Sequence, residues 1–136
     1  MSYLELYNER VRDLLAETDQ DHANLKIVED PQRGVQVVDL SEIIVSDAAE
    51  LMELINIGNK RRFVANTGWN KFSSRSHAIL IFNIEGVKQT PQGMLSVRSK
   101  LQMIDLAGSE RAASSENRGL RMQEGALINK SLLALG

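Results

Sequence analysis

Asn70-Lys71-Phe72-Ser73-Ser74-Arg75-Ser76-His77 runs directly into Ala78-Ile79-Leu80-Ile81-Phe82-Asn83-Ile84, and the reading of this junction decides the fold. The second half is a nearly continuous apolar run, as expected of a strand buried on both faces. The first half sets three serines and an arginine against the start of that strand. Hydroxyls can ligate Mg²⁺ or donate to phosphate oxygens, and arginine offers a planar fork of donors. Taken alone, the stretch is read first as a serine-rich loop that caps a strand.

A second apolar run, Leu101-Gln102-Met103-Ile104, leads into Asp105-Leu106-Ala107-Gly108-Ser109-Glu110. An aspartate at the C-terminal tip of a buried strand is where nucleotide hydrolases of the phosphate-loop class keep the acid that holds Mg²⁺. A glycine three residues on lets the backbone approach a phosphate with its N–H as donor. Asp-x-x-Gly alone is weak evidence and is read first as an ordinary turn. The pairing of the two motifs carries more weight. The two runs are expected to form a long antiparallel hairpin, with 86–93 as its loop, and ligands of open α/β sheets bind at strand ends. Arg75 and Glu110 carry opposite charge and are expected to meet across the gap.

Outward from this pair, Tyr3-Leu4-Glu5-Leu6-Tyr7 predicts a strand and Arg10 to Leu15 a turn or a short element. Leu25 to Val28 predicts a short strand, closed by the turn residues Asp30-Pro31-Gln32-Arg33-Gly34. Val35 to Val45, apolar and β-branched in two bursts, predicts a further strand. Ser46 suits an N-cap, and Ala48, Leu51, Met52 and Ile55 then recur on one helical face, predicting a helix over 47–57 that can run past Gly58 into Lys60-Arg61-Arg62. Ile128, Leu132 and Leu135 begin another helical face. Both ends are expected to be cut through structure rather than at linkers.

Composition narrows the classes. The 136 residues contain no cysteine and two histidines, which excludes disulfides and thiolate sites and disfavours a histidine metal centre. No apolar run approaches the ~18 residues that span a bilayer. Charge is uneven: residues 1–50 hold 4 basic and 12 acidic side chains (−8), 51–110 hold 8 and 4 (+4), and 111–136 hold 4 and 2 (+2). On charge alone this is first read as a scattered, solvated surface; an anionic partner, if there is one, is expected to meet the later part of the chain.

Asn70-x-x-Ser73-Ser74-Arg75-Ser76-His77 resembles the switch I signature of kinesins, and Asp105-Leu106-Ala107-Gly108-Ser109-Glu110 resembles their switch II. Tyr3-Leu4-Glu5-Leu6-Tyr7-Asn8-Glu9 with Arg12-Asp13-Leu14-Leu15 is similar to the strand and turn after that family's phosphate-loop helix. Glu124-Gly125-Ala126-Leu127-Ile128-Asn129-Lys130-Ser131-Leu132 is similar to the start of its relay helix, with Leu127 where the family usually has asparagine. The resemblance implies an α/β, phosphate-loop-hydrolase-like motor fold with a central mixed sheet flanked by helices. Residues 1–136 would be part of that domain, without its N-terminal phosphate loop, C-terminal microtubule-binding elements or neck.

By position, the resemblance implies that Ser74 contacts Mg²⁺ and the γ-phosphate of ATP, and that Ser73 helps place that phosphate and the attacking water. Asp105 would hold Mg²⁺ through water, Gly108 N–H would sense the γ-phosphate, and Asn70 would lie among the nucleotide contacts. Arg75 and Glu110 would close a salt bridge in the ATP state, with Glu110 also relaying the proton lost by water. Asn129 would tie the relay helix to switch II. Residues 111–127 would couple the switches to the track, with Arg111, Arg118, Arg121 and Lys130 facing acidic tubulin.

The implied partner is the microtubule, with neither nucleic acid nor membrane, in the cytoplasm on the cytoskeleton. Dimerisation of a longer parent would depend on regions outside these residues. No G-x-x-x-x-G-K-S/T occurs in the 136 residues, so the chain alone is expected to be inactive as an ATPase. A kinesin-like microtubule-binding or structural module without ATPase activity is the competing reading, and a GTPase switch protein a weaker one.

Overall fold

The computed structural model describes residues 1–17, 23–32, 34–64 and 76–108. In chain order its elements are β1 (Ser2–Tyr7), β2 (Arg10–Asp13), β3 (Ala23–Leu25), β4 (Ile27–Asp30), β5 (Gly34–Val37), α1 (Ala48–Val64), β6 (His77–Thr90) and β7 (Gly93–Asp105). Five strands form one sheet in the order β3-β2-β1-β6-β7, and β4 and β5 form a separate ribbon. The expected strand at Tyr3–Tyr7 is β1. The ambiguous stretch after it is a strand, because Asn8 and Glu9 both take positive φ (50° and 60°) and close a tight hairpin in which Tyr7 pairs with Arg10. Two consecutive left-handed residues are what a two-residue hairpin turn needs to match strand twist.

The sheet is two-faced. Tyr3, Leu14, Leu15 and Ala78 are buried on one face, where Leu51, Leu54 and Ile55 of α1 and Leu80 and Phe82 of β6 pack against them. Leu14 is completely buried, and removing such a side chain from water is worth roughly 1.5–3 kcal/mol. On the other face Leu4, Leu6, Ile79 and Ile81 look across a cavity of about 460 Å³ toward Val35 and Val37 of the ribbon.

The turn after β2 is pinned by polar groups. Asp13, 1% exposed, accepts the Leu15 N–H at 2.8 Å and the Ser41 N–H at 2.7 Å. Arg61 of α1 donates to the Leu14 and Ala16 carbonyls at 3.0 and 2.7 Å. Both charges therefore satisfy backbone groups that burial would otherwise leave unpaired.

The helix expected over 47–57 does run past Gly58 through Lys60-Arg61-Arg62, and ends at Val64. Several expectations are corrected. The helix cap is Asp47 rather than Ser46: Asp47 Oδ1 accepts the Glu50 N–H at 2.9 Å, and Glu50 reaches back to the Ser46 N–H at 2.9 Å. Met52 is 54% exposed, and Leu54 takes its place against the core.

The strand expected over Val35–Val45 ends at Val37. Val38 N–H still bonds to Lys26 O at 2.8 Å, but Asp39 then takes φ 59° and turns the chain out of the ribbon. The loop expected over 86–93 is mostly ladder. β6 and β7 stay paired out to Thr90↔Gly93, leaving Pro91 and Gln92 as the turn, with Gly93 at φ 129°. Pro91 suits a turn position with fixed φ and no ladder donor. Finally, β7 is exposed along its whole length rather than buried, including Leu101 at 49%, Met103 at 55% and Ile104 at 46%. It is the terminal strand of the described sheet.

Gly58 sits mid-helix against β1. A Cβ there would lie 2.2 Å from Tyr3 Cδ1 and 2.6 Å from Tyr3 Cε1. Alanine would gain ~1 kcal/mol of helix propensity but overpack the contact, which typically costs about 1–3 kcal/mol. Gly58→Ala in the complete domain is thus expected to lower the denaturation midpoint despite the better helix former. A midpoint at or above that of the unmodified domain would show that the ring has room to yield.

Candidate functional site

The described ends of the two polar motifs, Ser76-His77 and Asp105–Gly108, lie where two strand ends meet. Antiparallel pairing sets Ala78, second residue of β6, opposite Asp105, last residue of β7. The chain entering β6 and the chain leaving β7 are therefore neighbours at one edge. Just outside the ladder they are joined again: Ala107 N–H donates to His77 Nδ1 at 3.1 Å, with both residues buried. Ser76, immediately before β6, is 1% exposed.

Arg62, near the end of α1, draws these ends to a third strand. Its Nη1 donates to Asp105 Oδ2 at 2.9 Å. Its Nη2 donates to Ser76 O at 3.2 Å and Ser76 Oγ at 3.3 Å. Its Nε lies 3.6 Å from Glu5 Oε1 in β1, close enough for an ion pair and too far for a hydrogen bond. One guanidinium thus serves β1, β6 and β7 with its planar fork, a geometry lysine cannot reproduce.

The surroundings set the protonation states. Burial lowers the His77 pKa below its usual value, with Arg62 adding to the effect and Asp105 opposing it. A neutral imidazole is also what the hydrogen bond requires, since Nδ1 must accept. Burial raises the Tyr3 hydroxyl, which donates to Asn59 Oδ1 at 2.7 Å, while Arg62 pulls its pKa the other way.

Asp105 and Gly108 are thus three residues apart at a strand tip, with the Asp105 side chain 70% exposed beside a cation. Asn70, Ser73, Ser74, Arg75, Glu110, Arg111, Arg118, Arg121, Asn129 and Lys130 lie outside the described residues. Among the described residues no group of three or more His, Asp or Glu side chains could enclose a metal ion. An exposed carboxylate such as Asp105 fits Mg²⁺ held mainly by water and substrate phosphate, the usual mode for that ion.

Arg62 was missed by sequence reasoning, which saw Lys60-Arg61-Arg62 as a basic helix end. A usable signal existed: Leu51, Ile55, Gly58 and Arg62 fall at i, i+4, i+7 and i+11, so Arg62 continues the buried stripe. A charge there needs a partner. The Glu5 side chain is only 8% exposed, so Arg62→Ala would strand its carboxylate. We expect a stability loss of roughly 3 kcal/mol in denaturant titrations of the complete domain. A loss below about 0.5 kcal/mol, the level of an ordinary surface change, would contradict the hub role.

Comparison with known proteins shows the family and the fold. The kinesin motor domain family model matches residues 1–136. The chain is 46% identical over 138 residues to kinesin-like protein KIF1B of Rattus norvegicus, covering 100% of the chain and 8% of that protein. It is 47% identical over 137 residues to kinesin-like protein KIF19 of Xenopus laevis, covering 100% of the chain and 13% of that protein. A solved structure described as a fast kinesin superimposes with a TM-score of 0.80 at 42% identity, over 98% of the chain and 36% of its own length. The chain therefore spans a small part of the relatives it matches. Matched over its whole length by the family model and by relatives at 46–47% identity, and matched in its α/β motor fold, the chain belongs to the kinesin motor domain family.

Proposed function

We propose that these residues form the nucleotide-sensing part of a microtubule-stimulated ATPase motor. The observation that carries this reading is the meeting of the strand ends, with Ala78 paired to Asp105 and His77 bonded to Ala107. A γ-phosphate bound there would lie within reach of both polar motifs. The name of the fast-kinesin structure, which refers to ATPase mechanism and to interactions with microtubules, supports the same chemistry.

In this reading Ser73 and Ser74 present hydroxyls to the γ-phosphate and the attacking water, and Gly108 presents its N–H. Asn70 contributes to nucleotide contacts. Ser74, and Asp105 through water, would hold Mg²⁺, which neutralises charge developing on the phosphate oxygens. Phosphoryl transfer depends on positioned water and preorganised charge more than on covalent chemistry. Closure of an Arg75–Glu110 ion pair when γ-phosphate is present would make the site bistable, with Asn129 coupling it to the relay helix. Arg111, Arg118, Arg121 and Lys130 would steer toward the acidic tubulin surface, an effect that weakens with salt. The cytoplasmic microtubule cytoskeleton is the matching location.

Two measurements test the reading. Glu110→Ala in the complete motor domain should leave ATP binding in place yet cut microtubule-stimulated turnover by at least ~100-fold, the lower range for losing a proton-transfer group. Normal turnover would remove Glu110 from its assigned role. The 136 residues purified alone contain no G-x-x-x-x-G-K-S/T and should show no tight ATP binding by calorimetry. Micromolar or tighter binding would mean that the switch residues suffice as a phosphate site.

A further inference from the structure

His77 closes the polar motif before β6, yet the chemistry above gives it no task. It is 5% exposed, pairs with Leu6 of β1 in the ladder, and accepts the Ala107 N–H at 3.1 Å. Ala107, at 4% exposure, lies between Asp105 and Gly108. It falls beyond the last β6–β7 pair, Ala78↔Asp105, so the ladder does not hold it.

We propose that His77 is a positioning residue for the ATPase reaction, fixing the peptide before Gly108 by accepting the Ala107 N–H. The proposal rests on the reading of Gly108 as the γ-phosphate sensor. Past Asp105 the chain leaves regular pairing, and its dihedrals would otherwise be free to turn the Gly108 N–H away. One acceptor on a rigid ring, mounted at the start of β6, anchors the plane immediately upstream. The ring can do this only as the tautomer with its proton on Nε2, leaving Nδ1 to accept. Burial and the adjacent Arg62 both favour the neutral form. The arrangement also links the two motifs before nucleotide arrives, since His77 ends one and Ala107 lies within the other. An interaction that orients a donor for a charge developing later acts on turnover more than on ground-state binding.

The test uses the complete motor domain with saturating microtubules and compares His77→Asn with His77→Gln. Asparagine can set its side-chain oxygen close to the position of Nδ1, whereas glutamine carries its oxygen one methylene further out. His77→Asn should retain turnover within about threefold. His77→Gln should lose roughly tenfold in kcat, the equivalent of one hydrogen bond, with KM for ATP little changed. His77→Leu, which offers no acceptor, should lose at least as much as His77→Gln.

Equal kcat for the asparagine and glutamine variants would overturn the proposal, even if His77→Leu fails to fold. So would a glutamine defect confined to KM. Absence of ATP turnover in the unmodified domain would instead bring down the ATPase reading itself, and this inference with it.

Discussion

Thirteen consecutive backbone pairs between β6 and β7, from Ala78↔Asp105 to Thr90↔Gly93, fix where every polar group at the strand ends can lie. The alternation of a strand makes this register unforgiving, because a slip of one residue turns each side chain to the opposite face. In the observed register Ala78, Leu80 and Phe82 face α1, and their partners Asp105, Met103 and Leu101 share that face. Asp105 therefore arrives on the side where Arg62 waits. Shifted by one, Ile104 would meet the guanidinium and the carboxylate would turn toward the ribbon side. The site is thus a consequence of sheet pairing well before it is a consequence of any single polar residue.

Around that register, charges hold what hydrophobic packing leaves open. The apolar contacts gather about Tyr3, Leu14, Leu15 and Ala78 on the face that α1 covers. At the strand ends and in the turn after β2 polar groups add to that packing, and there Arg61, Arg62 and Asp13 bond to backbone or to buried side chains. Adjacent arginines at the end of α1 divide the work. Arg61 secures the turn after β2, while Arg62 gathers the ends of β6 and β7 together with Glu5.

Much of this was legible in the residues. The apolar runs before Asp105 and after His77 announced two strands and their antiparallel pairing, which brings His77 and Ala107 together at one end. The turn between β4 and β5 carried suitable residue types in Asp30, Pro31 and Gly34, whereas the turn at Asn8-Glu9 was not legible, since glutamate rarely takes the positive φ that Glu9 adopts. Legibility failed where long-range pairing overrode local signals. Gly86 and Pro91 read as a loop, yet the ladder passes through Gly86 and needs Pro91 only at its tip. Asp39 ended a strand that β-branched neighbours seemed to extend, because its left-handed backbone cannot be seen from composition. Arg62 was overlooked because its partners, Glu5, Ser76 and Asp105, are far apart in the chain and meet only in the sheet. The exposure of β7 could not be read either, since an apolar strand at the margin of a sheet has the same sequence as one at its centre.

The close seating of Tyr3 on Gly58 has a mechanical meaning. Where most helices rest on a sheet through a cushion of side chains, here an aromatic ring lies directly on bare helix backbone. Such a bearing has little slack. A rotation or slide of α1 would be transmitted to β1 almost undamped, and from β1 to its ladder neighbour β6, making this spot a stiff coupling between the helix and the sheet.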